Sequence, residues 1–166
     1  MTTENFSQTA ALADASLENE TKPPARILVV DDDADIRQLN TELLLTAGYE
    51  VDAAEDGAVA WNELQSKSYD LLVTDNNMPH VSGIGLLEKL HVARMAIPVI
   101  LVTGEPPTAA LARHPWLHIE ALLLKPYAAD ELLAVVNNVL RAIDSAAGQI
   151  ASPTRVAAPV PNRLRF

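Results

Sequence analysis

Cysteine is absent from all 166 residues. Disulfides, thiol nucleophiles and cysteine-ligated zinc are excluded together, and the composition fits a reducing compartment, so a cytoplasmic location is expected. No apolar run approaches the ~20 residues needed to span a bilayer, which excludes a membrane helix. The opening MTTENFSQTA lacks the basic and then apolar segments of a secretory signal. Histidine is scarce, and the spacing of His80, His91, His114 and His118 fits no metal motif, so all four are expected at the surface or in packing roles. Basic residues are outnumbered, with 12 Lys and Arg against 22 Asp and Glu and a net charge of −10. Residues 1–25 carry −3 and residues 147–166 carry +3, so the whole surplus belongs to the segment between them. A surface of that sign is wrong for nonspecific contact with nucleic acid, and neither a nucleic-acid nor a membrane partner is expected.

What the chain does contain is carboxylates at the ends of apolar runs. Asp31 and Asp32 follow Ile27-Leu28-Val29-Val30, and Asp75 follows Leu71-Leu72-Val73-Thr74. Short apolar runs between helical patterns mark parallel strands buried on both faces, and ligands of such sheets bind beyond the carboxyl ends of the strands. The three aspartates therefore converge on one crevice, where they repel each other unless a cation joins them. Val99–Val102 delivers Thr103 to the same edge, and Leu122-Leu123-Leu124 delivers Lys125 and Pro126. The pattern reads as a metal-binding cluster with an ammonium and a hydroxyl beside it.

The length suits one domain with tails, its core burying roughly two-thirds of the unfolded surface. Residues 1–25 are polar and end in Lys22-Pro23-Pro24, which reads as a disordered N-terminal arm. Residues 147–166 hold Gly148, three prolines and three arginines and read as a flexible tail, too short for an appended helix-turn-helix. Between them the pattern predicts strands at 27–30, 49–53, 69–74, 97–102 and 119–124. Helices are expected after each: one carrying Ile36, Leu39, Leu43 and Leu44 and stopped at Gly48, then 57–66, about 83–93, a short one opened by Pro106-Pro107 and ended near His114-Pro115, and 129–146. Alternation of this kind implies an α/β fold, a doubly wound five-stranded parallel sheet in the flavodoxin-like order 2-1-3-4-5 with five helices.

The runs ILVVDDDADIRQL, DLLVTDNNMPHVSGIGLL, PVILVTG and LLLKPY, in that order, resemble the receiver domain of two-component response regulators over about Arg26 to Asp144. The resemblance makes residues 26–146 a stand-alone receiver domain in a phosphorelay. It implies that Asp75 accepts a phosphoryl group from a phosphohistidine on a histidine kinase or histidine phosphotransfer protein. It also implies that Asp31, Asp32, Asp75 and the backbone carbonyl of Asn77 hold Mg²⁺, with Asp31 acting directly or through water. Octahedral oxygen ligation with retained waters suits that donor set. Thr103 and Lys125 are then the residues that contact the phosphoryl oxygens, and Lys125-Pro126 is expected to be a cis peptide. Gly104 leaves the site open, while Asn77 and Glu105 flank the path of the attacking water. Leu122 departs from the family, which usually carries Tyr or Phe three residues before the lysine. Output is expected through binding of a downstream protein effector, with the chain acting as a phosphoryl acceptor rather than an enzyme.

Asp33 has the simpler role of capping a helix that starts at Ala34. Another class of function is an aspartyl-phosphate-forming phosphohydrolase of the haloacid dehalogenase type, because Asp31-x-Asp33 superficially resembles its nucleophile motif. Asp35 stands where that motif expects Thr or Val. A flavin mononucleotide binder is excluded, since its phosphate loop needs free N–H groups where this chain has three aspartates.

Overall fold

Five parallel strands carry the core: β1 (Arg26–Val30), β2 (Glu50–Ala54), β3 (Leu71–Asp75), β4 (Val99–Thr103) and β5 (Ala121–Leu124). They lie in the order β2-β1-β3-β4-β5, as the alternation of elements implies. The computed structural model describes residues 22–150. Five helices follow the strands in turn: α1 (Ala34–Thr46), α2 (Gly57–Ser66), α3 (Gly83–Val92), α4 (Thr108–Arg113) and α5 (Ala129–Ile150).

Side chains alternate across the sheet, so each central strand feeds two layers. One layer joins Ile27, Val29, Leu71, Val73, Ile100 and Val102 to Leu44 of α1 and to Leu132 and Val136 of α5. The opposite layer joins Leu28, Val30 and Leu72 to Ala60 and Leu64 of α2 and to Leu86, Leu87 and Leu90 of α3. Every residue of β3 and β4 is buried, which explains why these strands read as unbroken apolar runs rather than alternating ones. Each buried Leu, Ile or Val contributes about 1.5–3 kcal/mol relative to exposure.

Several boundaries differ from expectation. β3, β4 and β5 each begin two residues later than the apolar pattern suggests. Tyr69, Ile97 and Ile119 are apolar because they pack under the sheet against the second layer, not because they join its ladder. Pro98 has no N–H, and it is its carbonyl, bonded by Leu72 N–H at 2.9 Å, that starts the β3–β4 pairing. β2 is displaced by one residue, since its register follows from Arg26 pairing with Glu50.

Gly48 ends α1 as expected: at φ +92° it adopts the left-handed conformation, and Tyr49 N–H bonds back to the Leu44 carbonyl at 3.2 Å. The inward face of α1 differs, however. Leu39 is 62% exposed, and Asn40 takes the buried position at 4%. At 100° per residue Leu39 lies about 140° from Leu44 around the helix, whereas Asn40 lies about 40° away. Geometry therefore overrides polarity at this position. On α2, Leu64 is buried while Val59 remains 37% exposed.

α4 starts after Pro107, has no side-chain cap and buries none of its residues. α5 continues through Ile150, beyond the end expected at residue 146 and into the stretch read as tail. Gly148 weakens a helix by about 1 kcal/mol relative to Ala but does not forbid one. At the other end, residues 22–25 are held: the Ala25 carbonyl accepts from Glu50 N–H at 3.0 Å, and Lys22 pairs with Asp144. The remainder of the expected arm (1–21) and tail (151–166) lies outside the described residues.

Candidate functional site

β1 ends at Val30, directly before Asp31 and Asp32, and β3 ends at Asp75 on the same sheet edge, so this register brings the three carboxylates together. Asp31, Asp32 and Asp75 each offer an oxygen within 4.8 Å of those of the other two, the one such acidic or histidine cluster among the described residues. Asp31 and Asp75 are buried and Asp32 is exposed, so the cluster opens to solvent on the Asp32 side. Asp31, Asp32 and Asp75 form this cluster without a histidine among them.

Lys125 reaches the cluster from the end of β5. Its Nζ lies 2.9 Å from Asp31 Oδ2 and 3.2 Å from Asp75 Oδ2. Burial pushes the Asp31 carboxyl above its ordinary value, with Asp75 adding to the rise, and the bond from Lys125 only partly offsets this. For Lys125 burial acts in the opposite sense, but the bonds to Asp31 and Asp75 outweigh it, and the ammonium is held above its ordinary value. The amine therefore stays charged at neutral pH and offsets part of the carboxylate repulsion.

Thr103 sits at the end of β4, fully buried. Its hydroxyl donates to the Glu105 carbonyl at 2.9 Å, so it is engaged by its own loop rather than by the acidic cluster. The Lys125 N–H donates to the Thr103 carbonyl at 2.9 Å, tying the two residues through the backbone. A Cβ at Gly104 would meet nothing within 4 Å, so the approach over this loop is open. Lys125-Pro126 is cis, in agreement with the family resemblance. Leu122 is 36% exposed on β5, and Asn77 and Glu105 are exposed on their loops.

Asp33 caps α1, its carboxylate accepting from Asp35 N–H at 2.9 Å and Ile36 N–H at 3.2 Å. This role keeps it out of the cluster. Four further residues support the site without having been singled out from the sequence. Arg37 donates to the Asp31 carbonyl at 2.7 Å. Asn76 receives the Ile84 N–H on its side chain at 3.2 Å and the Gly83 N–H on its carbonyl at 3.1 Å, closing the loop after Asp75. A Cβ at Gly83 would lie 2.5 Å from the Asp75 carbonyl oxygen, so only glycine permits that approach. Asn40 donates to the Tyr127 hydroxyl at 2.8 Å. For Asn40 the available signal was a polar residue at helical spacing from Ile36 and Leu44, which does not name its partner; Arg37 and Asn76 carried no signal of their own.

The family model described as the response regulator receiver domain matches residues 27–137. The chain belongs to the response regulator receiver domain family. Response regulator MprA of Mycolicibacterium vanbaalenii is 32% identical over 133 residues, covering 79% of this chain and 58% of the relative. Transcriptional regulatory protein DltR of Streptococcus agalactiae is 34% identical over 109 residues, covering 66% of this chain and 49% of the relative. The chain thus spans about half the length of the regulators it matches. Among solved structures, the CheY-like receiver domain protein of Methanospirillum hungatei superposes with a TM-score of 0.69 at 28% identity, covering 74% of this chain and 98% of that one. The receiver domain of Francisella response regulator 1452 gives 0.65 at 29% identity, covering 72% and 98%. A receiver domain serves as a phosphoacceptor in two-component signalling, and nothing in the match supports the phosphohydrolase alternative.

An acidic pocket that binds Mg²⁺ belongs to receiver domains, and the donor set here fits the ion. Hard carboxylate oxygens converge on one side, and the open flank at Asp32 leaves room for the waters that Mg²⁺ retains. Among the described residues no helix is long and apolar enough to cross a membrane.

Proposed function

We propose that Asp75 is the phosphoacceptor, that its donor is a phosphohistidine of a histidine kinase or histidine phosphotransfer protein, and that residues 26–146 form the receiver unit. The observation that supports this is the meeting of Asp31, Asp32 and Asp75 with Lys125 bridging two of them. A carboxylate oxygen of Asp75 forms the new P–O bond while the P–N bond breaks, and the donor imidazole leaves with the electron pair. Lys125 holds a positive charge beside the incoming phosphoryl oxygens, and Thr103 contacts them by exchanging its bond to Glu105. Asp31, Asp32, Asp75 and the Asn77 carbonyl would hold Mg²⁺, which when bound supplies charge neutralisation. Gly104 and Glu105 modulate access to the phosphoryl group. Leu122 and Pro126 shape the face through which the phosphorylated chain binds a protein effector, in the cytoplasm and without nucleic acid or membrane contact. The phosphotransfer and later hydrolysis are self-catalysed on the chain's own carboxylate.

Asp33 argues against hydrolase chemistry, because both hydrogen bonds accepted by its carboxylate come from the first turn of α1. Incubation with acetyl phosphate and Mg²⁺ is expected to add one phosphoryl group, read by intact mass. Asp75→Asn and chelation with EDTA should each abolish it. Labelling of Asp75→Asn at Asp31 or Asp33 would instead favour the hydrolase.

A further inference from the structure

We propose that the Asn40–Tyr127 hydrogen bond is a half-buried strut that positions Lys125 for the phosphoryl group, making Asn40 and Tyr127 positioning residues for the transfer. The inference deepens the function proposed above and rests on the role given there to Lys125.

Asn40 is 4% exposed on the inner face of α1, and Tyr127 packs against the core layer that α1 and α5 share. Their bond, at 2.8 Å, spans 87 positions of sequence. A buried amide is unfavourable in an apolar layer unless it is paired, and a Leu and Phe pair of similar volume would fill this space without that requirement. What the polar pair adds is direction. A hydrogen bond fixes the distance and angle between α1 and the turn after β5, whereas apolar contact leaves them free to slide.

Tyr127 lies two residues beyond Lys125, and the backbone between them is confined at both ends. Lys125 N–H is bonded to Thr103, and the Ala128 N–H to Glu131 Oε2 at 2.8 Å. With these anchors and the Tyr127 phenol fixed on Asn40, the lysine stem leaves the backbone in one direction, toward Asp31 and Asp75. α1 is itself tied to the acidic loop, through the Asp33 cap and through Arg37 on the Asp31 carbonyl. The strut thus closes a loop of contacts from Asp31 through α1 to Tyr127 and back through Lys125. Burial holds the Tyr127 phenol above its ordinary value, so it stays protonated and uncharged at neutral pH.

The test uses the full chain and three variants, Tyr127→Phe, Asn40→Leu and the double Asn40→Leu/Tyr127→Phe, with Lys125→Ala beside them. Mg²⁺ binding and Mg²⁺-dependent beryllofluoride binding are measured by calorimetry, and stability by urea unfolding. Single variants strand one polar partner within the packed layer and lose stability; the double variant removes both and restores it. The double variant is expected to bind Mg²⁺ no more weakly than wild type while losing roughly tenfold in beryllofluoride affinity, the scale of a small displacement of a charge-bearing group. Asn40→Leu/Tyr127→Phe with wild-type beryllofluoride affinity, beside a Lys125→Ala that loses it, overturns the strut alone. Loss of Mg²⁺ affinity in parallel also overturns it, since the whole site has then moved. Lys125→Ala with unchanged affinity overturns the role of Lys125 and the strut together.

Discussion

Neighbouring aspartates in one turn do different work because their surroundings differ. Asp33 spends its carboxylate on two backbone N–H groups of α1, Asp31 is buried under Lys125, and Asp32 remains exposed at the rim of the cluster. Asp32→Ala should therefore weaken Mg²⁺ binding with little change in stability. Asp33→Ala should do the reverse, costing about 1 kcal/mol through the lost cap while Mg²⁺ affinity stays near wild type. Calorimetric titration and urea unfolding of the two variants check both arms; equal loss of Mg²⁺ affinity would contradict the division of roles. The site was legible at this scale wherever a residue stood at the end of an apolar run, as Asp31, Asp75, Thr103 and Lys125 do. Residues that act through hydrogen bonds across the fold were not, because the partner of Asn40 is Tyr127 and nothing local in α1 announces it.

The starts of α1, α2 and α3 are each fixed by a single capping side chain, and α2 shows the consequence for pH. Asp56 caps it, accepting from Ala58 and Val59 N–H at 2.8 Å, with His80 Nδ1 3.3 Å from its other oxygen. The Val59 bond, then the Ala58 bond and the His80 ring, hold this carboxyl below its ordinary value despite some burial. A carboxyl lowered in the folded state contributes stability above the unfolded value of 3.8 and loses it as pH falls through the folded value. Asp56→Ala should cost about 1 kcal/mol at pH 7. That difference from wild type should shrink as the pH is lowered through and below 3.8, as read by urea melts at stepped pH. A pH-independent difference would mean that the cap does not act through its charge. Element identity and order were readable from periodicity, but strand starts were not. An apolar residue below the ladder, such as Ile97 or Ile119, carries the same signature as one within it. Leu39 was expected on the apolar face of α1 from its helical spacing to Ile36 and Leu43, but the inward face is centred on Leu44 and turns Asn40 inward instead.

Across the whole molecule, the acidic cluster is joined to β5 and α5 by the backbone tie between Thr103 and Lys125, while α4 buries none of its residues against the rest. A change at the phosphoryl site should therefore spread along β5 and into α5. Beryllofluoride with Mg²⁺ is expected to shift amide resonances mainly from Thr103 through Tyr127 and into α5. Leu122→Tyr should alter effector affinity while leaving acetyl phosphate labelling at the wild-type rate. Shifts confined to residues around Asp75 would contradict this route.

Lys125, drawn in among the aspartates, means that the protein carries its own counterion. The pocket holds a fixed positive charge of its own, which offsets part of the repulsion among its carboxylates before any metal arrives. An arriving divalent ion competes with an ammonium that cannot leave, because it is part of the chain. Occupancy should then follow the surrounding ion concentration instead of saturating at trace levels.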